Sequence, residues 1–493
     1  MLSSGDMLSS GDAKAEPLLS GSPPRSKEKD ASILFWACAN LVASTIGAGL
    51  LSIPISISYC GSVLSGVSLL AFFMVLSDAS TRYIVLAARR SDAATYIELG
   101  ERCFGNAGRE AVLWSLFVLL VGAVVQLTII CTDLVMMLLA RYSAVARPSR
   151  ALVGGLLTAA VAPLCLPREL RQFGGISAVS VLSMLFTCGC IVSLAFGHAE
   201  IGWGVDPGPA LPPNSTAARL PGGGPPGAAA ADRHGGPRLW AVTPSWALAM
   251  PIHALAFCNQ FQIMDIANSL PAALQRHVPA LVHIAMLTAG LVYATVGVVA
   301  YVLLGPRTQC YPNVLTAFGD DPLVAAGSAA IAFVNFVKLP LMVLPLRALL
   351  LEQLGLAPLR RLAPHAAFTL AIVGLLGGSA AWLTNLAFAF QLSGSTAGVM
   401  VCFILPGLMH FGALRNERLD ALADLAPAEL LRLSTGARAW IPRSAAEAAG
   451  LGMAAVGAVS GAVCLWVLFR DGEQGSLTGT GGGCLVAGPR VPG

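Results

Sequence analysis

The sequence predicts an all-α integral membrane protein with eleven transmembrane helices. Of its 493 residues, 56% are hydrophobic and only 11% are charged, whereas soluble domains carry about 25% charged residues. The apolar runs are long enough to cross a bilayer, and short polar joints separate them. They lack the period-2 alternation that is typical of transmembrane β-strands. We therefore expect a multi-pass helical bundle embedded in a lipid bilayer.

Eleven apolar runs define the predicted spans, and the arginines between them set the orientation. Arginines are concentrated in alternate joints, for example Arg89 and Arg90 after the second span and Arg360 and Arg361 after the eighth. The positive-inside rule then places the N-terminus in the cytosol and the C-terminus outside the cell or in a lumen. A plasma membrane and a vacuolar or lysosomal membrane both fit this orientation. The predicted spans are residues 31–57, 61–88, 111–140, 151–167, 174–198, 243–267, 280–304, 323–350, 366–388, 394–412 and 449–470.

The polar segments complete the predicted domain organisation. The first six residues are repeated in tandem, so Met7 is an alternative to Met1 as the first residue. The joint after the fifth span contains the sequon Asn214-Ser-Thr, which predicts glycosylation on the non-cytosolic side. The predicted segments are a disordered cytosolic tail at 1–30, a ten-helix core at 31–412 with its non-cytosolic loop at 199–242, a cytosolic amphipathic segment at 413–448, the eleventh helix at 449–470 and a disordered tail at 471–493.

The first span contains residues that oppose a continuous helix. Gly47 and Gly49 each cost about 1 kcal/mol of helix stability relative to alanine. Pro54 costs about 3 kcal/mol, because it removes a donor and clashes with the preceding turn. A membrane tolerates unpaired backbone only where protein or a watery cavity receives it, so a binding site at the break explains this pattern. A glycine-packed contact between two helices is the alternative.

The sixth span shows a second interruption. Pro251, His253, Asn259, Gln260 and Gln262 all lie in a segment that is otherwise apolar. Polar side chains in lipid are costly and gather at a cavity or at a helix contact. Interrupted first and sixth spans are what an inverted five-plus-five repeat produces, with a substrate held between them at the bilayer midplane. Hydrogen bonding between helices is the alternative explanation.

Lys338 lies near the middle of the eighth span and is the only lysine after the N-terminal tail. A lysine at this depth costs about 2.5–3.5 kcal/mol, so it must be paired, neutral or in contact with water. Asp133 in the third span is the candidate counter-ion. Because burial favours the neutral form of a lysine, Lys338 is also a candidate for proton exchange. A structural ion pair that locks two helices is the alternative.

Several stretches together resemble the amino acid/auxin permease family, which includes sodium-coupled neutral amino acid transporters and vacuolar amino acid transporters. The first-span signature of that family runs approximately Asn-Leu-x-Asn-x-Ile-x-Gly-x-Gly-x-Leu. Further similarity lies in Phe257–Leu270, Leu339–Arg347 and Phe390–Gly407, so the resemblance covers nearly the whole membrane part. This chain supplies the signature residues Asn40, Leu41, Gly47, Gly49 and Leu51.

The resemblance implies a leucine-transporter-like fold with five-plus-five inverted repeats and one extra helix. It also implies that the backbone atoms of an amino acid are bound at the two interruptions. Recognition of a carboxylate by opened helix N–H groups agrees with the residue-level interpretation. The implied substrate-binding residues are Ile46, Gly47, Ala48 and Gly49 in the first span and Phe257, Cys258 and Asn259 in the sixth.

Departures from the family pattern bear on ion coupling. Ala43 stands where sodium-coupled relatives have an asparagine, and Phe336 or Lys338 stands where they have a threonine. A hard cation such as sodium needs several oxygen ligands, so two missing oxygens argue against a sodium site. The resemblance then implies proton coupling or sodium-independent transport, with Lys338 as the charge in place of sodium. The candidate ion-coupling residues are Ala43, Lys338 and Asp133.

These observations favour a secondary active transporter that moves amino acids, most simply neutral ones, by alternating access. A membrane amino acid sensor that uses the same pocket without net transport is the alternative. An enzyme is not expected, because the sequence has no nucleophile elbow, phosphate loop, HExxH motif or paired carboxylates. We also expect a monomer without a cofactor or metal. Nucleic acid is not an expected partner, because the basic residues lie in joints and form no continuous face.

Overall fold

The structure, a computed structural model, describes residues 27–142, 148–167, 176–197, 238–318, 321–356, 362–383, 385–422 and 440–472. This part of the chain is helical and contains no strand, which agrees with the all-α prediction. Short 3₁₀ segments connect several of the helices. The α-helices are α1 Lys27–Thr45, α2 Ile53–Cys60, α3 Val63–Ser91, α4 Tyr96–Tyr142, α5 Arg150–Val161, α6 Ile176–Gly197, α7 Met250–Ala256, α8 Ile263–Ser269, α9 Val278–Leu304, α10 Pro322–Gln353, α11 Leu362–Trp382, α12 Leu386–Ser393, α13 Leu405–Asp420 and α14 Ala445–Gly472.

The helices overlap all the predicted spans, although their lengths differ. Within the described ranges, six helical segments are apolar and long enough to cross a membrane, and three more are apolar but shorter. The two remaining predicted spans, the first and the sixth, are each divided into two shorter helices. The all-α class is therefore confirmed within the described ranges, together with several apolar helices long enough to cross a membrane. The count of eleven crossings and the inverted repeat stay predictions.

The boundary between the ninth and tenth predicted spans differs from the prediction. The predicted ninth span, 366–388, ends at Trp382, because Asn385 caps a new helix by accepting a hydrogen bond from the Phe388 N–H at 3.2 Å. The helical course from Leu386 widens into π-helix at 394–398 and 400–404 before it continues as α13.

Several predicted segments fall wholly or partly outside the described residues. Within the predicted amphipathic segment 413–448, residues up to Asp420 continue α13. Residues 423–439, Asn214 and most of both tails lie outside the described residues.

The helices pack in two groups that face each other across the breaks in the first and sixth spans. In the first group α9 packs along α1, α2 and α3, and α7 contacts α2 and α3. In the second group α10 packs along α4 and α6, and α11 packs along α4 and α5. Both interrupted spans belong to the first group. Their breaks lie where this group meets the second group.

Glycines allow α14 to approach α13 closely. A Cβ atom on Gly407 would lie 2.5 Å from the Gly450 carbonyl oxygen and 2.8 Å from the Ala454 nitrogen. The same pair of helices is joined by Arg418, whose guanidinium contacts the buried Glu447 carboxylate at 2.6 and 2.7 Å. The eleventh predicted span is therefore fixed to the tenth by backbone contact and by an ion pair.

We expect Gly407→Ala to lower the thermal unfolding midpoint in detergent, because overpacking typically costs about 1–3 kcal/mol. Gly452→Ala is the matched control, since a Cβ there meets nothing within 4 Å and alanine favours helix by about 1 kcal/mol. The control should therefore match or exceed the wild-type midpoint. Equal midpoints for the two variants would contradict the close packing of α13 and α14.

Candidate functional site

The first span is unwound between α1 and α2, at residues 46–52, which we call the first break. The helix α1 ends at Thr45, whose hydroxyl donates back to the Leu41 carbonyl at 2.8 Å. Gly47 then has an extended backbone (φ −114°, ψ −149°), and a short 3₁₀ turn, Ala48–Leu51, leads into α2. The predicted interruption of the first span is present.

The sixth span is unwound between α7 and α8, at residues 257–262, which we call the second break. The helix α7 ends at Ala256, and α8 begins at Ile263. Within the break, single turns are closed by bonds such as Gln262 N–H to the Asn259 carbonyl at 3.0 Å. The predicted interruption of the sixth span is therefore also present.

One tyrosine joins the ends of both helices. The Tyr293 hydroxyl, on α9, lies 2.8 Å from the Thr45 carbonyl oxygen and 2.8 Å from the Ala256 carbonyl oxygen. These are the last residues of α1 and α7, and the last carbonyls of a helix have no partner inside it. Tyr293 is completely buried. A side chain from a third helix thus serves the carbonyl ends of both interrupted helices.

Asn259 forms a second link between the breaks. Its Nδ2 donates to the Thr45 hydroxyl at 2.8 Å, and its Oδ1 accepts from the Thr81 hydroxyl at 3.2 Å. The first break also touches the end of α7, directly before the second break, because a Cβ atom on Gly49 would lie only 3.0 Å from the Cα of Ala256. The breaks are therefore held side by side and anchored to α3.

His253 joins α2 and α7, the two half-helices on the other side of the breaks. Its Nδ1 lies 2.9 Å from the Ala249 carbonyl and must be the donor, because a carbonyl only accepts. Its Nε2 lies 3.3 Å from the Ser56 hydroxyl on α2. The ring stacks on Phe73 of α3 with an interplanar angle of 10°. His253 therefore packs this half of the first helix group together.

A cavity of about 530 Å³ lies at the breaks, between the two helix groups. From the first span it is lined by residues in the range 40–49, and from the sixth by residues in the range 255–266. It therefore occupies the half of the protein that contains α1 and α8. In the other half Ile53, Ile57 and Ile252 are completely buried, and the packing is closed. The polar lining residues are Asn40, Ser44, Thr45, Gln126, Ser180, Cys258, Gln262, Asp265 and Lys338.

The structure distributes the predicted substrate-binding residues between the cavity wall and the layer behind it. Gly47, Gly49 and Cys258 line the cavity. Ile46 and Phe257 are buried, and Phe257 packs edge-on against the Tyr293 ring with centroids 5.3 Å apart. Asn259 is buried as well, with its side chain engaged between the breaks. The Ala48 side chain lies outside the described part of the structure. A binding role for these seven residues stays a prediction.

The candidate ion-coupling residues separate in the structure. Ala43 and Lys338 both line the cavity. Asp133 instead forms an ion pair with Arg150 at the start of α5. The expected pairing of Asp133 with Lys338 is therefore wrong, because the chain turns after α4 and brings Arg150 back beside that carboxylate. Within the described ranges, no residue forms a hydrogen bond or an ion pair with the Lys338 ammonium group.

Two residues of the site were missed by the sequence analysis. Asp265 lines the cavity, and among the described lining residues it is the one that carries a carboxylate. Its position in the polar stretch of the sixth span was the signal that could have identified it. Tyr293 was visible only as a hydroxyl in an apolar run. Its role depends on helix packing that no local pattern shows.

The comparisons with known proteins agree with this arrangement. The family model described as transmembrane amino acid transporter protein matches residues 32–221 and 237–431. The chain belongs to this transporter family. The match includes both breaks and every helix that lines the cavity. Membership confirms the resemblance noted in the sequence and identifies the protein as an amino acid transporter family member.

Individual relatives are distant. Mouse solute carrier family 38 member 10 is 24% identical over 395 residues, which cover 76% of this chain and 33% of that protein. Amino acid transporter AVT6D of Arabidopsis thaliana is 24% identical over 426 residues, covering 81% of this chain and 89% of that protein. Arabidopsis AVT6E is 23% identical over 399 residues, covering 76% and 75%. The chain thus spans about a third of the length of the solute carrier relative.

We expect Gly49→Ala to reduce amino acid uptake in proteoliposomes at least tenfold, because its Cβ would push the first break away from the Ala256 backbone. Gly374→Ala in α11 is the control, since a Cβ there meets nothing within 4 Å. Uptake is normalised to folded protein recovered by size-exclusion chromatography. Wild-type uptake by Gly49→Ala would show that the contact between the breaks is not needed.

Proposed function

We propose that this protein is a secondary active transporter that carries neutral amino acids by alternating access. The observation that supports this proposal best is the side-by-side placement of two unwound segments at the wall of a cavity. An unwound segment offers main-chain N–H groups to a carboxylate and carbonyl groups to an ammonium ion. Two such segments in contact therefore suit the zwitterionic part that all amino acids share.

The charges around the cavity support a substrate without net charge. The described lining residues carry one positive charge, on Lys338, and one negative charge, on Asp265. The rest of the lining is neutral, with apolar side chains such as Leu120, Phe261 and Met342. A substrate with a net charge would enter this cavity without an excess of opposite charge to stabilise it.

The shape of the cavity supports alternating access. It lies in the half that contains α1 and α8, whereas the half that contains α2 and α7 is filled by buried side chains such as Ile53, Ile57 and Ile252. With the N-terminus in the cytosol, as the arginine distribution predicts, this conformation faces the cytosol. Movement of the first helix group against the second would close this side and open the other, around a site that stays at the breaks.

Lys338 supports sodium-independent transport coupled to protons. Lys338 lines the cavity, as does Ala43 of the first span, which provides no side-chain oxygen. With Asp133 bound to Arg150, Lys338 remains open to substrate, protons and water. A lysine in such an environment can release and regain a proton, so its charge takes the place of a bound sodium ion.

A panel of radiolabelled amino acids in proteoliposomes tests the transport proposal. We expect concentrative uptake of neutral amino acids when a pH gradient is imposed, and little uptake of acidic or basic ones. Empty liposomes provide the control. Binding of an amino acid without flux would contradict the proposal and favour a membrane sensor.

Replacement of sodium by choline tests the coupling, and we expect uptake to be unchanged.

Lys338→Met and Lys338→Arg should both lose stimulation by the pH gradient, because methionine cannot hold a proton and arginine does not release one. The arginine variant is the matched control for charge. Loss of uptake in choline would reject sodium independence, and gradient-driven uptake at the wild-type level in Lys338→Met would make Lys338 structural.

A further inference from the structure

The Tyr293 hydroxyl faces two acceptors with a single proton. Both the Thr45 and the Ala256 carbonyl oxygens lie 2.8 Å from it, and a tyrosine hydroxyl donates one hydrogen bond at a time or shares its proton between two acceptors. The two oxygens cannot be farther apart than twice that distance. The carbonyl ends of α1 and α7 thus converge on one donor.

This convergence has an electrostatic consequence. The C-terminal end of a helix carries a partial negative charge, so α1 and α7 repel each other where they end. A buried carbonyl without a hydrogen-bond donor is costly. This part of the protein is buried, because Tyr293 is completely buried and only 3% of the surface of Thr45 is exposed. The shared hydroxyl proton offsets both effects, so the two helix ends are most stable when they stay together on Tyr293.

Residues that follow these carbonyls in both breaks form part of the cavity wall, as do Thr45 and Ala256 themselves. Gly47 and Gly49 follow Thr45 by two and four positions, and Cys258 follows Ala256 by two; all three line the cavity. Tyr293 itself is not part of the cavity lining. Its ring is held by the edge-on contact with Phe257, so the position of the hydroxyl is fixed from α9.

We propose that Tyr293 is a positioning residue that holds the two unwound segments in register, so that their main-chain atoms bind the substrate as one site. The substrate role of that site rests on the function proposed above, whereas the positioning itself is a property of the fold. Tyr293 acts through the Thr45 and Ala256 carbonyls and does not touch the substrate. Removal of its hydroxyl therefore weakens substrate binding and loosens the second break.

Tyr293→Phe tests this proposal, with Tyr301→Phe as the matched control. Tyr301 lies on the same helix, is also buried, and its hydroxyl contacts the Gly61 carbonyl at 3.4 Å, away from the breaks. The first measurement is uptake of the best substrate of the amino acid panel. We expect KM to rise about tenfold in Tyr293→Phe while Vmax per folded protein stays within twofold, and neither value to change in Tyr301→Phe.

The second measurement needs no substrate. Cys258 is a native thiol at the cavity wall, within the second break. Its alkylation by a maleimide, followed by mass spectrometry of the peptide, therefore reports the geometry of that break. We expect alkylation at least threefold faster in Tyr293→Phe than in the wild type, and an unchanged rate in Tyr301→Phe. The Cys258→Ser variant identifies the peptide signal.

Distinct outcomes overturn the two proposals. Wild-type KM and wild-type Cys258 alkylation in Tyr293→Phe would overturn the positioning role. Failure to recover folded Tyr293→Phe, with Tyr301→Phe recovered, would show a folding role instead and would also overturn it. If the wild type transports no amino acid, the transport proposal fails, and Cys258 alkylation still decides whether Tyr293 positions the breaks.

Discussion

The structure depends on how two opened helix ends are satisfied inside a membrane. Lipid offers no hydrogen bonds, so each unpaired main-chain group must find a partner within the protein. Here the carbonyl ends of α1 and α7 share the hydroxyl of Tyr293, and Asn259 ties the second break to Thr45. These bonds explain why two spans can be interrupted at the same depth without loss of the fold. They also explain why the breaks form one continuous wall of the cavity.

Charged side chains in this poorly solvated environment also need partners, and two carboxylates have them. Asp133 is neutralised by Arg150 on the neighbouring helix, and Glu447 by Arg418. These pairs join helices and leave the cavity with Lys338 and Asp265 as its charged lining within the described ranges. Lys338 differs from the paired residues because it faces the cavity and not a fixed partner. This difference separates a residue that can take part in coupling from residues that hold helices together.

The sequence predicted most of the fold because helix and membrane signals are local. Apolar runs located the helices, and the glycines and Pro54 in the first span and the buried polar residues in the sixth located both interruptions. Contacts between distant spans were beyond such signals. The partner of Asp133 was misassigned, because it depends on how the chain returns after α4. Tyr293 was missed, because a tyrosine in an apolar span has the same pattern whether it packs or donates to two helix ends.

The most direct test of the account is an electron cryomicroscopy structure of the full-length protein with a transported neutral amino acid bound. We predict substrate density against residues 46–49 and 256–258, with Tyr293 still in contact with the carbonyls of Thr45 and Ala256. Continuous helices through both regions, or substrate density elsewhere in the protein, would contradict it.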